Sequence, residues 1–227
     1  LKQRTGGVMT HTPELASFSA LHALLVDCQQ QSEIKIPATW GQGRATYGGL
    51  VAAMLISHLV GQLGTQLVLR SATVSFVAPA LAGAATLKAE IFRQGKSATQ
   101  AEARLMQDGQ VVAVLLASFG QPRESGIQVE PIHVAPEFKA AVPLDVPQMP
   151  YIAGMMPEFF QHIDIRWAKG KPPFSGATRP DFGGWMRYQD QSLLEFGLAH
   201  LFGLIDAWPP AVLPMFKLPA PASSLCW

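Results

Sequence analysis

From Leu50 to Val60 the chain reads LVAAMLISHLV, and only Ser57 and His58 interrupt an apolar surface. A helix apolar nearly all round is buried, not laid on a surface. Gly48 and Gly49 stand just before it, so Arg44–Gln62 predicts a Gly-Gly turn feeding one long buried helix. The run is shorter than the about 20 apolar residues that span a bilayer. Upstream, Leu15, Phe18, Leu21, Leu24 and Leu25 recur at helical spacing and predict a helix over 14–28, packed by one face. Ile34 and Ile36 share one side of a short strand predicted over 33–39.

Beyond the buried helix the period changes from that of a helix to two. Ala72, Val74 and Phe76 alternate with Ser71, Thr73 and Ser75, and Pro79 ends the run because it has no N–H for a ladder. Leu87, Ala89 and Ile91 alternate with Lys88 and Glu90; Ala101, Ala103 and Leu105 alternate with Gln100, Glu102 and Arg104. Asp108-Gly109 is a two-residue hairpin signal. The strand after it, VVAVLLASF, is apolar enough to lie inside a sheet. The prediction is an antiparallel sheet wrapped on the helix.

Residues 121–156 carry Pro122, Pro131, Pro136, Pro143, Pro147 and Pro150 with no sustained period, which is linker composition. The pattern then restarts. Residues 159–167 alternate and predict a strand, 169–182 a Pro/Gly loop, and 184–189 a short strand. Ser192 and Glu195 have capping-box spacing and open a second apolar helix with Leu193, Leu194, Leu198, Leu201, Phe202 and Ile205. Pro209 and Pro210 stop it, and 222–227 opens a further strand. The expected organisation is α+β: an N-terminal repeat over 14–120, a linker over 121–156 and a C-terminal repeat over 157–227. The second repeat has less sheet after its helix than the first and is expected to be incomplete in this chain.

Composition changes this picture in three ways. Of 227 residues only 15% are charged, against about 25% in a typical domain. Surface covered by a ligand or by a second copy is therefore expected, and a homo-oligomer with it. A net charge of +1 leaves no electrostatic footprint for nucleic acid. Cys28 and Cys226 are far apart, with neither metal spacing nor a disulfide framework, and the first residues lack the apolar core of a signal peptide. A reducing, cytoplasmic setting is the expectation.

Candidate chemistry gathers at a few positions. Asp206 falls in the last turn of the second apolar helix, with Gly203, Phe202 and Ala199 at i−3, i−4 and i−7. The helix dipole there disfavours a carboxylate by roughly 0.3–1 kcal/mol. Such an acid has either a raised pKa and a general-base role or an exposed place at a helix end. Gly48 and Gly49 precede amides without intrahelical partners, which polarise a carbonyl oxygen or simply allow close packing. His58 reads as a hydrogen-bonded core histidine. Gly-x-Ser-x-Gly, metal-ligand and nucleotide-loop patterns do not occur.

A series of short motifs runs in order from Trp40 to the end. These are Gly48-Gly49, SFVAP at Ser75–Pro79, RQGKS at Arg93–Ser97, Ala117-Ser118-Phe119, Trp185-Met186-Arg187, DAWPP at Asp206–Pro210 and Ala222-Ser223-Ser224. In these the chain resembles the TesB-type acyl-CoA thioesterases, which have a double hot-dog fold: two antiparallel sheets, each wrapping a central helix. The resemblance implies hydrolysis of a fatty-acyl or related acyl-CoA by a held water, with acyl-CoA as partner and no cofactor or metal. The family's helix Asp matches Asp206. Its strand hydroxyl matches Ser224, with Ser223 the neighbouring candidate. Its Gln is expected beyond Trp227. Arg44, Arg93 and Lys96 are candidates for the CoA phosphates or plain solvated charges. Two rivals stand beside this reading. A hot-dog hydratase or dehydratase pairs its Asp with a nearby His, whereas Asp206 is followed by Ala-Trp-Pro-Pro. A non-catalytic acyl-CoA or acyl-carrier binder needs no water-holding set at all.

Overall fold

The structure, a computed structural model, describes residues 18–64, 67–129, 143–189, 196–220 and 225–227. Helix α1 is Phe18–Gln30, followed by β1 (Glu33–Ile36), the small hairpin β2 (Gly41–Gln42) and β3 (Ala45–Thr46), and helix α2 (Gly48–Leu63). Strands β4 (Val68–Phe76), β5 (Gly83–Gln94), β6 (Ala98–Gln107) and β7 (Gln110–Gly120) follow. The second half contributes β8 (Ile163–Lys169), β9 (Gly183–Tyr188) and helix α3 (Leu198–Ile205).

The main sheet is antiparallel, in the order β1-β5-β6-β7-β4. Apolar VVAVLLASF lies in β7, between β6 and β4. Asp108 (φ 49°) and Gly109 (φ 76°) both adopt the left-handed conformation that a two-residue β6–β7 turn requires. Helix α2 packs on β5, β6 and β7, and all its residues from Gly49 to Leu59 are buried. Each fully buried Leu, Ile or Met there contributes about 1.5–3 kcal/mol. Its two polar side chains are not exceptions to burial. Ser57 donates to the Leu25 carbonyl at 2.7 Å, and the His58 Nδ1–H donates to the Cys28 carbonyl at 2.7 Å. Both acceptors belong to α1, which is how that helix is clamped to α2. His58 is thus a core histidine.

The second half differs from its sequence pattern in two places, the start of its first strand and the start of its helix. Glu158–His162 is a 3-10 turn, and the strand begins only at Ile163. Alternation fails here because neighbouring rings pack together: Phe159 stacks on Tyr47 at 3.9 Å and on Phe160 at 4.2 Å. Ser192 and Glu195 lie outside the described residues. The second helix does not open at a Ser192 cap: Phe196 and Gly197 are not helical, Gly197 is the N-cap with its N–H donating to His200 Nδ1 at 3.0 Å, and α3 runs Leu198–Ile205. Strands β8 and β9 pair antiparallel, Asp164 opposite Arg187. On the other side of β8, Arg166 donates to the Val146 carbonyl at 2.8 Å, so residues after 143 are tied to the second half.

The halves meet at several places, and two of these bear most on the site. Helix α3 packs directly on α2. The segment 225–227 lies along β4, where the Val74 N–H donates to the Trp227 carbonyl at 2.7 Å and the Phe76 N–H to the Leu225 carbonyl at 2.8 Å. The second half thereby extends the edge of the first sheet. No helix among the described residues is long and apolar enough to cross a membrane.

Candidate active site

The site is built where α2 begins and α3 ends. The approach to α2 is anchored by two backbone bonds, Thr46 N–H to the Ala80 carbonyl at 2.7 Å and Tyr47 N–H to the Trp40 carbonyl at 2.8 Å. The Leu50 and Val51 amides turn back to the Tyr47 carbonyl. Gly48 and Gly49 are therefore the first two residues of the helix and not a turn ahead of it, because the chain is already turned at Tyr47, and they present its leading donors.

Asp206 caps the C-terminal end of α3, with φ −84° and ψ 0°. Because α3 lies on α2, that end meets the α2 N-terminus. A methyl group added at Gly48 would stand 2.7 Å from Asp206 Oδ2 and 3.1 Å from Cζ of Phe76. Only glycine leaves the carboxylate and the ring this close to the helix start. The Gly49 N–H donates to the Asp206 carboxylate. Burial pushes the carboxyl up to about 6 and the Gly49 bond pulls the other way. At neutral pH such a group is mostly ionised, yet it is a better proton acceptor than a solvated aspartate. Its place at a helix N-terminus steadies the charge.

Tyr47 completes the enclosure. It is fully buried, and its hydroxyl donates to the Gly203 carbonyl at 3.0 Å. Burial first, then the Asp206 charge and Tyr188, hold its phenol well above the ordinary value. Phe76 and Phe202 face the indole of Trp227, with ring centroids 6.3 and 5.9 Å from it.

The structure brings together Asp206, Gly48 and Gly49, from opposite halves of the chain. Arg44 is exposed at the β2–β3 tip, four residues before Gly48. Arg93 and Lys96 stand elsewhere. Lys96 lines a hollow of about 240 Å³ with Leu63 and Gly64, at the far end of α2. A 16-residue helix is roughly 24 Å long, which is the span between that hollow and Gly48. Ser223 and Ser224 lie outside the described residues and directly precede Leu225. A cleft of about 860 Å³ lies elsewhere again, with Leu24, Asp27, Lys35, Lys88 and Asp108 in its wall and without Asp206. Sequence reasoning missed Tyr47 and Phe76. The available signal was an aromatic residue directly before Gly-Gly, where small polar caps are the preferred choice.

The two halves correspond to two known domains. The sequence model of the acyl-CoA thioesterase N-terminal domain matches residues 36–120, and that of the acyl-CoA thioesterase C-terminal domain matches residues 143–227. The chain belongs to the acyl-CoA thioesterase family. Comparison with curated proteins finds no match. Among solved structures, this thioesterase-family chain is similar to a conserved protein of unknown function with a hot-dog fold from Alicyclobacillus acidocaldarius. They share 26% identity over 89% of this chain and 75% of that one, with a TM-score of 0.73. A putative thioesterase II from Thermobifida fusca is 18% identical over 86% and 74%, with a TM-score of 0.69. The acyl-CoA thioesterase II TesB2 from Mycobacterium marinum is 17% identical over 80% and 66%, with a TM-score of 0.54. The fold is a double hot-dog.

Proposed function

We propose that this chain hydrolyses an acyl-CoA thioester to a free acid and coenzyme A. The observation that carries the reading is the Asp206 carboxylate, raised in pKa and seated on the N-terminus of the buried helix. Asp206 takes a proton from water as the water oxygen attacks the thioester carbon. The Gly48 amide, at the helix start, polarises the carbonyl oxygen as charge develops on it. Collapse of the tetrahedral intermediate breaks the C–S bond, and the proton on Asp206 goes to the leaving thiolate. Ser224 is the hydroxyl that helps hold the water, by its match to the family pattern. The acyl chain packs among apolar side chains beside the helices, where each buried CH₂ contributes about 0.8 kcal/mol. Arg44, at the same end of α2, is a candidate partner for CoA phosphate.

Thiol release from acyl-CoAs of increasing chain length tests this. Turnover should fall about a hundredfold or more in Asp206→Asn. Because the ionised form is the base, kcat/KM should rise through pH about 6 and level off above it. Tight acyl-CoA binding without thiol release at any chain length would sink the hydrolase reading and leave a binding protein.

A further inference from the structure

Asp206 reaches the α2 N-terminus only if the last turn of α3 is held down, and most of α3's own bonds cannot do that. The final carbonyls of a helix have no intrahelical N–H. Gly203 contributes one of them, three residues before Asp206. Its acceptor is filled across 156 residues of sequence by the Tyr47 hydroxyl, at 3.0 Å. Tyr47 is also the residue immediately before α2. One side chain therefore joins the start of α2 to the end of α3, the two elements whose meeting makes the site. Its ring is fixed in turn by Phe159, stacked at 3.9 Å and 6°, and by Trp40 at 6.2 Å. Gly49 lies against the same ring, where an added methyl group would overlap the Tyr47 hydroxyl.

We propose that Tyr47 is a positioning residue: its bond to Gly203 fixes the end of α3 so that Asp206 stays on the Gly49 amide. The proposal rests on Asp206 being the base. Removing the hydroxyl leaves the ring stack intact and frees the last turn of α3. The Gly49–Asp206 bond then weakens while Asp206 keeps its partial burial. Tyr188 is the natural control. Its hydroxyl donates to the His200 carbonyl at 2.7 Å, on the same helix, but from β9 and not from the α2 entry.

The experiment compares Tyr47→Phe and Tyr188→Phe with the wild-type chain. Three quantities are read: the melting temperature, the titration midpoint of the ¹³C-labelled Asp206 carboxyl, and kcat with KM on an acyl-CoA. Each variant loses one buried hydroxyl bond, so both should melt lower by similar amounts. Only Tyr47→Phe should raise the Asp206 midpoint and lower kcat, by about tenfold with KM within about twofold. A Tyr47→Phe chain with the wild-type midpoint and kcat would overturn the proposal. So would a Tyr188→Phe chain that moves the midpoint as far. The carboxyl titration needs no substrate, so it reads the positioning of Asp206 even if no acyl-CoA is turned over.

Discussion

The two central helices meet different surroundings. Helix α2 is covered all round from Gly49 to Leu59. Helix α3 is covered on the side that faces α2, where His200, Phe202 and Gly203 are buried, while Leu201 and Ile205 are 45% and 52% exposed. The first helix is a scaffold whose stability comes from burial; the second is a bracket that delivers one carboxylate. The difference teaches that this fold divides labour between its halves. The helix start that receives the charge comes from the stable half, and the charged group comes from the half with less packing. A rigid receiver with a locally held donor keeps the carboxylate in place without burying its whole helix.

Core truncations should expose the contrast most strongly. Leu55→Ala removes a side chain with no solvent exposure and should cost about 2–5 kcal/mol. Leu201→Ala removes one that is 45% exposed and should stay within about 0.5 kcal/mol. Urea unfolding of the two variants measures both. Equal losses would break the comparison, because they would show the outer side of α3 to be as tightly packed as α2.

The site itself should show a smaller effect, of unusual sign. Asp206 has a folded-state pKa of about 6, above its ordinary 3.8. The folded chain therefore holds an extra proton between about pH 4 and 6. Stability from this group is full below pH 4, falls as pH rises through that window, and above it is lower by about 3 kcal/mol at most. Asp206→Asn carries no charge to desolvate and still offers the Gly49 amide an acceptor oxygen. It should match the wild type near pH 4 and be more stable by about 1–3 kcal/mol at pH 8, even as it loses turnover. Thermal unfolding across pH 4–8 checks this. A variant less stable than the wild type at pH 8 would mean that Asp206 serves the fold rather than the chemistry.

The same division explains what was legible in the sequence. Helix α2 and strands β4 to β7 were readable because their signals are local: an unbroken apolar run, period two, and Asp108-Gly109 at a turn. The Asp206–Gly48 pairing was reachable only through the resemblance, since nothing in the spacing of either segment says that the two meet. Residues 158–162 misled because aromatic alternation imitates a strand, whereas Phe159 answers to Tyr47, more than a hundred residues earlier. Tyr47 stayed hidden for the same reason. Its partner is a backbone carbonyl of α3, and a carbonyl leaves no mark in a sequence.

The mildest test concerns charge at the two ends of α2. Arg44 lies on an exposed hairpin tip at the end that holds Asp206, and Lys96 beside Leu63 and Gly64 at the other. In the proposed function the pantetheine arm leaves Gly48 past the β2–β3 tip, toward Arg44, and not along α2 toward Lys96. Exposed charges act weakly and are screened by salt. Arg44→Ala should therefore raise KM for acyl-CoA by only about threefold at low ionic strength, and by less in about 0.5 M salt, where the screening length shrinks to a few ångström. Arg93→Ala and Lys96→Ala should each raise it less than Arg44→Ala does. The measurement is KM for one acyl-CoA at two salt concentrations in the three variants. A larger rise in Lys96→Ala would sharpen the comparison in the opposite direction: coenzyme A would then run along α2 toward its C-terminal end, and the scaffold half would bind the carrier as well as receive the charge.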